Sequence, residues 1–426
     1  MDDLVTLDSK PLKVRLGIAV VVALTLVFTW YAARWQIGDM LAVLTKDSDP
    51  NAPNMAQLAR DLAPSDPLAS LLEASVGSNG ADNSGSVEIY EQAVRLAPSD
   101  YRLRVELARS LEQAGQLADS ETEFKRAVDL APEYASTHWN LGNFYLRHDR
   151  VDDAITHLKA AAQNNQTYRE QVFSLAWDYF NKDAERVEQL AGDTPEARAR
   201  LAYFFAAHGR GDDALRNWNR LDDREKSSQL VVAKAIARGL FEQRVFPYAL
   251  DFAHQFGADA DGRAEAVTNP SFEKSIEPSE DGRFGWNITR GDAKVEIALD
   301  NRVRHSGSRS LRTTFKAFSK AAFENISQTV VVEPGRRYRL RFWVRTENLR
   351  SAGLPMLEIM NANDDKTLAR SAVFAVGTSD WQEISVDFTA PENCTAITIR
   401  TIRASCGEEC PLTGTYWYDD FELTRL

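Results

Sequence analysis

Cysteine and histidine are scarce in this chain: three cysteines and six histidines in 426 residues. The three cysteines, Cys394, Cys406 and Cys410, all lie close to the C-terminus, and no histidine follows His305. A zinc site built on these thiols would therefore want a fourth ligand that is not nearby. Read instead as disulfide material, Cys406 and Cys410 flank a short Gly-Glu-Glu loop and form the preferred pair, with Cys394 left over. A bridge from Cys394 to either of the others stays open, because spacing does not reveal connectivity. Positive charge is also short, 50 Lys and Arg against 62 Asp and Glu for a net −12, with no long basic run, which argues against a nucleic-acid partner. Catalytic signatures are missing: there is no Gly-x-Ser-x-Gly elbow, phosphate-binding glycine loop or His-Glu-x-x-His. The acid pairs Asp152-Asp153, Asp212-Asp213 and Asp419-Asp420 are adjacent in sequence, and neighbours on a helix point apart. The chain reads as not an enzyme; a cryptic hydrolase with two carboxylates across one cleft is the weakest of the readings.

What is present begins with residues 16–33, an 18-residue run without a charged side chain, preceded by Lys10, Lys13 and Arg15 and followed by Arg34. That length suits a transmembrane helix. The basic excess before the run predicts residues 1–15 in the cytoplasm, an anchor at 16–35 and everything after it on the outer side of a cytoplasmic membrane. Trp30, Tyr31 and Trp35 gather at one end as interfacial residues do. A cleaved signal peptide would want small residues at the cut, and Trp30-Tyr31-Ala32-Ala33 places bulky ones there.

Leu-Ala-Pro then recurs, ending at Pro64, Pro98 and Pro132, 34 residues apart, with amphipathic helical patterning between. A helix pair of that length cannot bury its apolar stripe alone, so successive pairs must stack. The copy after Pro132 reads Trp139, Leu141, Gly142, Tyr145, Ala154, Leu158 and Ala161; the one before has Ala108 and Ser120 at the small positions; a later one has Leu201, Ala202, Phe205, Gly209, Ala214 and Trp218. Period and residues closely resemble the tetratricopeptide repeat family. The resemblance implies an all-α superhelix over 50–256 whose groove holds a protein partner.

Near residue 257 helical patterning stops, and a linker is expected at 257–268. Residues 329–332, 338–345, 356–360, 383–388, 396–402 and 416–423 read as strands separated by turns such as Pro334-Gly335, giving an all-β jelly-roll sandwich over 269–426. Alternation puts Tyr338, Leu340, Phe342 and Val344 on one side of their strand and Arg339, Arg341, Trp343 and Arg345 on the other. With the first set in the core, Trp343 and Arg341 lie on an outer face, joined by Gln328, Glu358 and Arg400 from other strands. That cluster is the expected glycan-binding surface, since sugars need an aromatic face and planar hydrogen-bonding groups.

Six motifs in order, Asn269-Pro-Ser-Phe-Glu273, Gly285-Trp286, the run from Ser306 to Leu311, Pro334 to Tyr338 leading to Phe342-Trp343-Val344-Arg345, Trp381, and Trp417-Tyr-Asp-Asp-Phe421, resemble the carbohydrate-binding modules of the galactose-binding-like jelly-roll class. The resemblance implies a sugar site. It also implies a structural calcium held by Glu273, by Asp420 or Asp419, and by carbonyls near Ser306, a hard cation needing several oxygens together. Trp286, Trp381 and Trp417 are expected in the core, at positions the family uses structurally. The combined expectation is a multidomain, membrane-anchored periplasmic adaptor that assists bacterial surface polysaccharide or envelope assembly. The alternative is an assembly factor whose sandwich is purely structural, with no glycan contact.

Overall fold

The computed structural model describes residues 12–46, 48–77, 84–192, 194–255, 261–276, 283–290, 292–318, 320, 322–406 and 410–426. Residues 1–11 of the expected cytoplasmic segment and 257–260 of the expected linker lie outside the described residues. The chain divides into two compact units, residues 1–192 and 193–426.

The first unit opens with one helix, Leu12–Leu44, long and apolar enough to cross a membrane, its apolar window unburied within the protein. The helix runs on past the expected end of the span, and its last turns pack on the helix Ala52–Leu62. Gly38 allows this approach, because a Cβ there would stand 2.6 Å from that of Ala63. Helix pairs follow: Pro67–Gly77 with Ser84–Leu96, Tyr101–Gln113 with Leu117–Leu130, Ala135–Arg147 with Val151–Asn164, and Gln166–Tyr179 with the shorter Ala184–Leu190.

Each Leu-Ala-Pro closes a helix, at Leu62, Leu96 and Leu130, and the proline two residues on cannot extend it. After the first two, the next helix is started by side chains that take up free N–H groups, Asp66 from Leu68 at 2.9 Å and Asp100 from Arg102 at 2.9 Å; after the third, Tyr134 stands at that position without a side-chain cap. The small residues lie where the helices of a pair meet. A Cβ on Gly142 would come 2.8 Å from Leu158 Cγ, and Ala108 and Ala154 have no exposed surface. Ser120 does more than stay small: its hydroxyl donates to the Ala108 carbonyl at 2.7 Å.

The second unit begins with the repeat-like helices Pro195–Ala207, Gly211–Trp218, Leu230–Glu242 and Phe246–Gln255 and continues into a β-sandwich. The change from helix to strand falls between Gln255 and Asn287, but the division between compact units falls at Gly192/Asp193. Specific contacts join these helices to the sandwich. Phe241 meets Phe284 edge-on at 5.3 Å, Arg244 pairs with Asp365 at 2.6 Å, and the Arg244 carbonyl accepts from Asn363 at 3.1 Å.

The strands are β1 (Asn287–Ile288), β2 (Val295–Asp300), β3 (Ser310–Phe318), β4 (Ile326–Val331), β5 (Arg337–Arg350), β6 (Pro355–Asn361), β7 (Thr367–Arg370), β8 (Gly377–Thr389), β9 (Ala396–Arg403) and β10 (Leu412–Arg425). They form two antiparallel five-stranded sheets, β1-β4-β9-β6-β7 and β2-β3-β10-β5-β8. The inner faces meet in an aromatic core of Phe272, Trp286, Phe342, Phe374, Tyr416, Tyr418 and Phe421. Phe342 and Phe421 stack at 5.1 Å, and Trp286 meets Phe421 at 4.9 Å. Such rings bury more apolar area than any other side chain, which is how a sandwich of this size holds two sheets together.

Candidate functional site

The five residues expected to form one glycan-binding surface lie in three places. Glu358 of β6 and Arg400 of β9 are direct cross-strand partners on the outer face of the first sheet, with Arg370 of β7 opposite Glu358 on its other side. The Glu358 carboxylate accepts from Arg400 at 2.7 and 2.9 Å, Arg370 at 2.8 Å and Thr367 at 2.8 Å, while Arg400 also pairs with Glu324 at 2.9 Å. Burial alone would raise the Glu358 pKa; the hydrogen bonds from Arg400, Arg370 and Thr367 outweigh it and hold the group below the ordinary glutamate value. The network is satisfied within the protein.

Gln328 does not join it. Its register partner in β9 is Ile399, it is buried, and both its amide atoms bond the backbone of Thr268, at 2.8 and 2.9 Å. Its work is to tie the segment before the first sandwich motif to β4. Arg341 and Trp343 belong to the second sheet, on β5 between β10 and β8. Alternation within one strand is local, but membership of a sheet is set by long-range pairing, so the expected single cluster is divided.

On the outer face of the second sheet Trp343 is half-buried, and His305 lies flat on it, ring centroids 3.9 Å apart and planes 15° from parallel. The edge of His305 meets Trp381 at 5.7 Å. Trp381 is thus not in the core: it is half-buried on this outer face, adjoining a row of Glu383, Ser385 and Asp387 on β8, an alternation that was available in the sequence. Trp286 and Trp417 are buried, Trp286 in the core and Trp417 on the outer face with its indole N–H on Asp300 at 3.0 Å. Around the aromatic group the arginines are paired, Arg341 with Glu422, Arg339 with Asp387 at 2.6 and 2.8 Å, and Arg345 with Asp380 at 3.5 Å.

His305 is held by the residues expected to bind calcium. Its backbone N–H and that of Ser306 donate to Asp419 at 2.8 and 3.2 Å; its ring Nδ1 lies 2.6 Å from Asp420, which also accepts from Ser306 and Ser271 at 2.6 Å. Glu273 accepts from the N–H groups of Ser308 and Arg309 at 2.7 and 3.2 Å and from the Ser308 hydroxyl. The expected ligands therefore do meet on one loop, 305–309. Among the described residues, however, no three acidic, imidazole or thiol side chains converge as a metal cage. These carboxylates accept from N–H and O–H donors of Ser271 and of loop 305–309, which clasps that loop to the strand carrying Asp419 and Asp420.

Burial and the neighbouring Asp420 push the Asp419 pKa up to about 6 against the hydrogen bonds it accepts. A raised pKa means that the contribution of this group to stability is complete below the unfolded value and is lost as pH rises through the folded one. In chelator, stability of the sandwich is expected to fall by up to about 3 kcal/mol from this group between pH 4 and 7. The difference between wild type and Asp419→Asn in thermal unfolding isolates it from Asp420 and Glu273, whose lowered pKa values act in the opposite sense. Equal pH profiles in the two proteins would contradict this assignment.

In the first unit, a cavity of about 500 Å³ opens among the helices Ser84–Leu96, Tyr101–Gln113 and Leu117–Leu130. Val94, Leu107 and Leu111 give it an apolar lining and Arg95, Arg104, Glu91 and Glu123 a charged one, with Arg104 paired to Glu123 at 2.7 Å. Such a mixed lining suits a peptide segment better than a small apolar ligand.

Comparison with known proteins agrees with both halves. Residues 264–403 match the family described as carbohydrate binding domain, and residues 78–135 and 105–168 match the tetratricopeptide repeat family. Among curated proteins, human "Protein IFIT1 homolog B" is 29% identical over 128 residues, 26% of this chain and 27% of that protein. The Arabidopsis thaliana "TPR repeat-containing thioredoxin TTL4" is 31% identical over 78 residues, 18% of this chain and 11% of that protein. The chain thus spans about a quarter or less of these relatives. Solved structures with similarity include "CBM4 structure and function", at 14% identity and a TM-score of 0.28 over 38% of this chain and 99% of that one. Another is "MamA 41-end from Desulfovibrio magneticus RS-1", at 23% identity and a TM-score of 0.27 over 32% of this chain and 76% of that one. The chain joins tetratricopeptide repeats to a β-sandwich of the carbohydrate-binding type, behind an apolar N-terminal helix.

Proposed function

We propose that this protein is a non-enzymatic, membrane-anchored adaptor of the bacterial envelope, in which the repeats hold a protein partner and the sandwich binds surface polysaccharide. The N-terminus lies in the cytoplasm and the soluble units outside it, in accord with the basic residues that precede the apolar run. The observation that carries the glycan reading is the group of half-buried Trp343 and Trp381 with exposed His305 on an outer sheet face, rimmed by paired arginines and carboxylates. With His305 stacked on Trp343, it is the outer face of His305 and the ring of Trp381 that would meet the apolar faces of pyranose rings, Trp343 supporting them, and the rim offers planar donors and acceptors to the hydroxyls. This keeps Trp343 and Arg341 in the site, adds His305 and Trp381, and leaves Gln328, Glu358 and Arg400 outside it.

A second reading is favoured by the contacts of Phe241 and Arg244 with the sandwich, which suit a domain that extends a scaffold and touches no glycan. A glycan array probed with the full chain in detergent separates the two. Wild type is expected to bind an extended glycan, and Trp381→Ala to weaken that binding about tenfold or more, roughly 1.4 kcal/mol. Binding of no glycan by folded wild type would favour the scaffold, whereas undiminished binding by folded Trp381→Ala and by folded Trp343→Ala would remove the glycan site from this face.

A further inference from the structure

Strand β9 ends on Arg403, which is buried at 6% exposure. Its guanidinium donates to the carbonyls of Gly353 at 3.2 Å, Lys320 at 2.6 Å and Cys410 at 2.7 Å, and to the Ser351 hydroxyl at 3.0 Å. It also reaches two sulfurs, Cys410 Sγ at 3.2 Å and Cys406 Sγ at 3.6 Å, which are joined to each other as a disulfide. The ring of Phe318 lies 5.7 Å from the guanidinium carbon. Among the described residues Arg403 has no carboxylate partner. A buried cation without an anion is costly, and burial lowers the Arg403 pKa accordingly.

The two sulfurs are not equivalent. Cys406 is partly exposed, whereas Cys410 is buried against the guanidinium. Reduction of the bond would place a thiolate beside a guanidinium that, among the described residues, has no carboxylate partner. Cys394 supplies a contrast: it is buried, its thiol donates to the Ala396 carbonyl at 3.2 Å, and burial pushes its pKa up to about 11. A thiol is reactive only as thiolate, so Cys394 is inert.

We propose that the Cys406–Cys410 disulfide is a thiol-exchange site for an external dithiol, with Cys406 as the sulfur attacked and Arg403 holding Cys410 as the leaving thiolate. One thiolate of the dithiol attacks Cys406 Sγ, forming a mixed disulfide, and the S–S electron pair departs on Cys410 Sγ, which takes the hydrogen bond from Arg403. The second thiolate of the dithiol then attacks its own sulfur in the mixed disulfide and releases Cys406, which takes a proton. The dithiol is oxidised to its disulfide and the protein bond is reduced to one thiol and one thiolate. Of the two protons the dithiol loses, one is retained on Cys406 and the other goes to solvent. A lower pKa on the leaving thiol makes it leave faster, which is the property Arg403 confers.

The test uses the full chain in detergent, with dithiothreitol as reductant and glutathione as the trapping thiol. Ultraviolet thiolate absorbance of the reduced protein, assigned by difference from Cys410→Ser, is expected to show Cys410 titrating at least about one unit below the ordinary thiol value of about 8.5. Mass spectrometry of the trapped species is expected to find glutathione on Cys406. Arg403→Met is expected to slow exchange about tenfold or more, the conservative Arg403→Lys less so. If the arginine variants do not fold, the wild-type titration and trapping decide. Cys410 titrating at or above the ordinary value, glutathione found on Cys410, or a bond that resists dithiothreitol while the protein stays folded would each overturn the proposal.

Discussion

Glu358→Ala is expected to weaken protection of the β6 and β9 amides against hydrogen exchange by about 30- to 1,000-fold, or roughly 2–4 kcal/mol. The substitution leaves Arg400 and Arg370 facing one another across the site of the lost carboxylate. Arg400 retains Glu324, and Arg370 is about half exposed and is screened by water, which keeps the loss below that of a fully buried pair. Hydrogen exchange is the suitable probe because it reports on these strands separately from the helical repeats. Replacing Glu358 and Arg400 together by apolar residues of similar volume is expected to recover part of the loss. A change of less than threefold in Glu358→Ala would mean that the network contributes little, and the face would then be free to rearrange around a ligand.

Phe421→Ala is expected to cost about 3–5 kcal/mol, comparable with the whole stability of many domains. The Phe421 ring stacks on Phe342 at 5.1 Å and meets Trp286 at 4.9 Å, Tyr418 at 5.4 Å and Phe272 at 5.9 Å. Removing it opens a cavity between aromatic groups from both ends of the domain, which cannot all close on it. Its backbone N–H also donates to the Pro270 carbonyl at 3.1 Å, one link from Glu273 and the clasp on loop 305–309. Near-ultraviolet circular dichroism and exchange in β5 and β10 should both register the loss, and Phe421→Leu should recover roughly half of it. A cost under about 1 kcal/mol would show that the core repacks, against the close packing described above.

These two residues differ in how plainly the sequence marked them. Phe421 was hidden from the pattern: period two counted from Tyr416 and Tyr418 places it outward with Trp417, and the bulge at Asp419–Asp420, where Asp420 takes a positive φ of 48°, turns it into the core. Glu358 was singled out as a polar group on an outer face, and it is one, but the carboxylate is occupied by two arginines rather than offered to a ligand. The expected partnership of Glu358 with Trp343 assumed one sheet, and the pairing of β5 with β10 and β8 placed Trp343 in the other. Trp381 shows the converse. Its alternation with Glu383 and Asp387 pointed outward, but the family likeness assigned it to the core; the structure follows the alternation.

Features that depend on near neighbours along the chain were legible in the residues alone. The 34-residue period, with Gly142 and Ala154 at the close contacts, specified stacked helix pairs, because a single pair cannot bury its own stripe. The uncharged run 16–33 specified a helix long enough to span a membrane, and alternation specified six of the ten strands described and the inward Tyr338, Leu340, Phe342 and Val344 of one of them. Tertiary structure alone decided what depends on residues far apart. It set which strands share a sheet, bonded Gln328 to the backbone of Thr268, laid His305 on Trp343, brought Arg403 against the disulfide, and grouped the helices from Pro195 to Gln255 with the sandwich in one compact unit. Periodicity records only which side of an element is apolar. Which other element covers that side is decided by pairing and packing across a hundred residues or so, where many arrangements bury similar area and specific contacts choose among them.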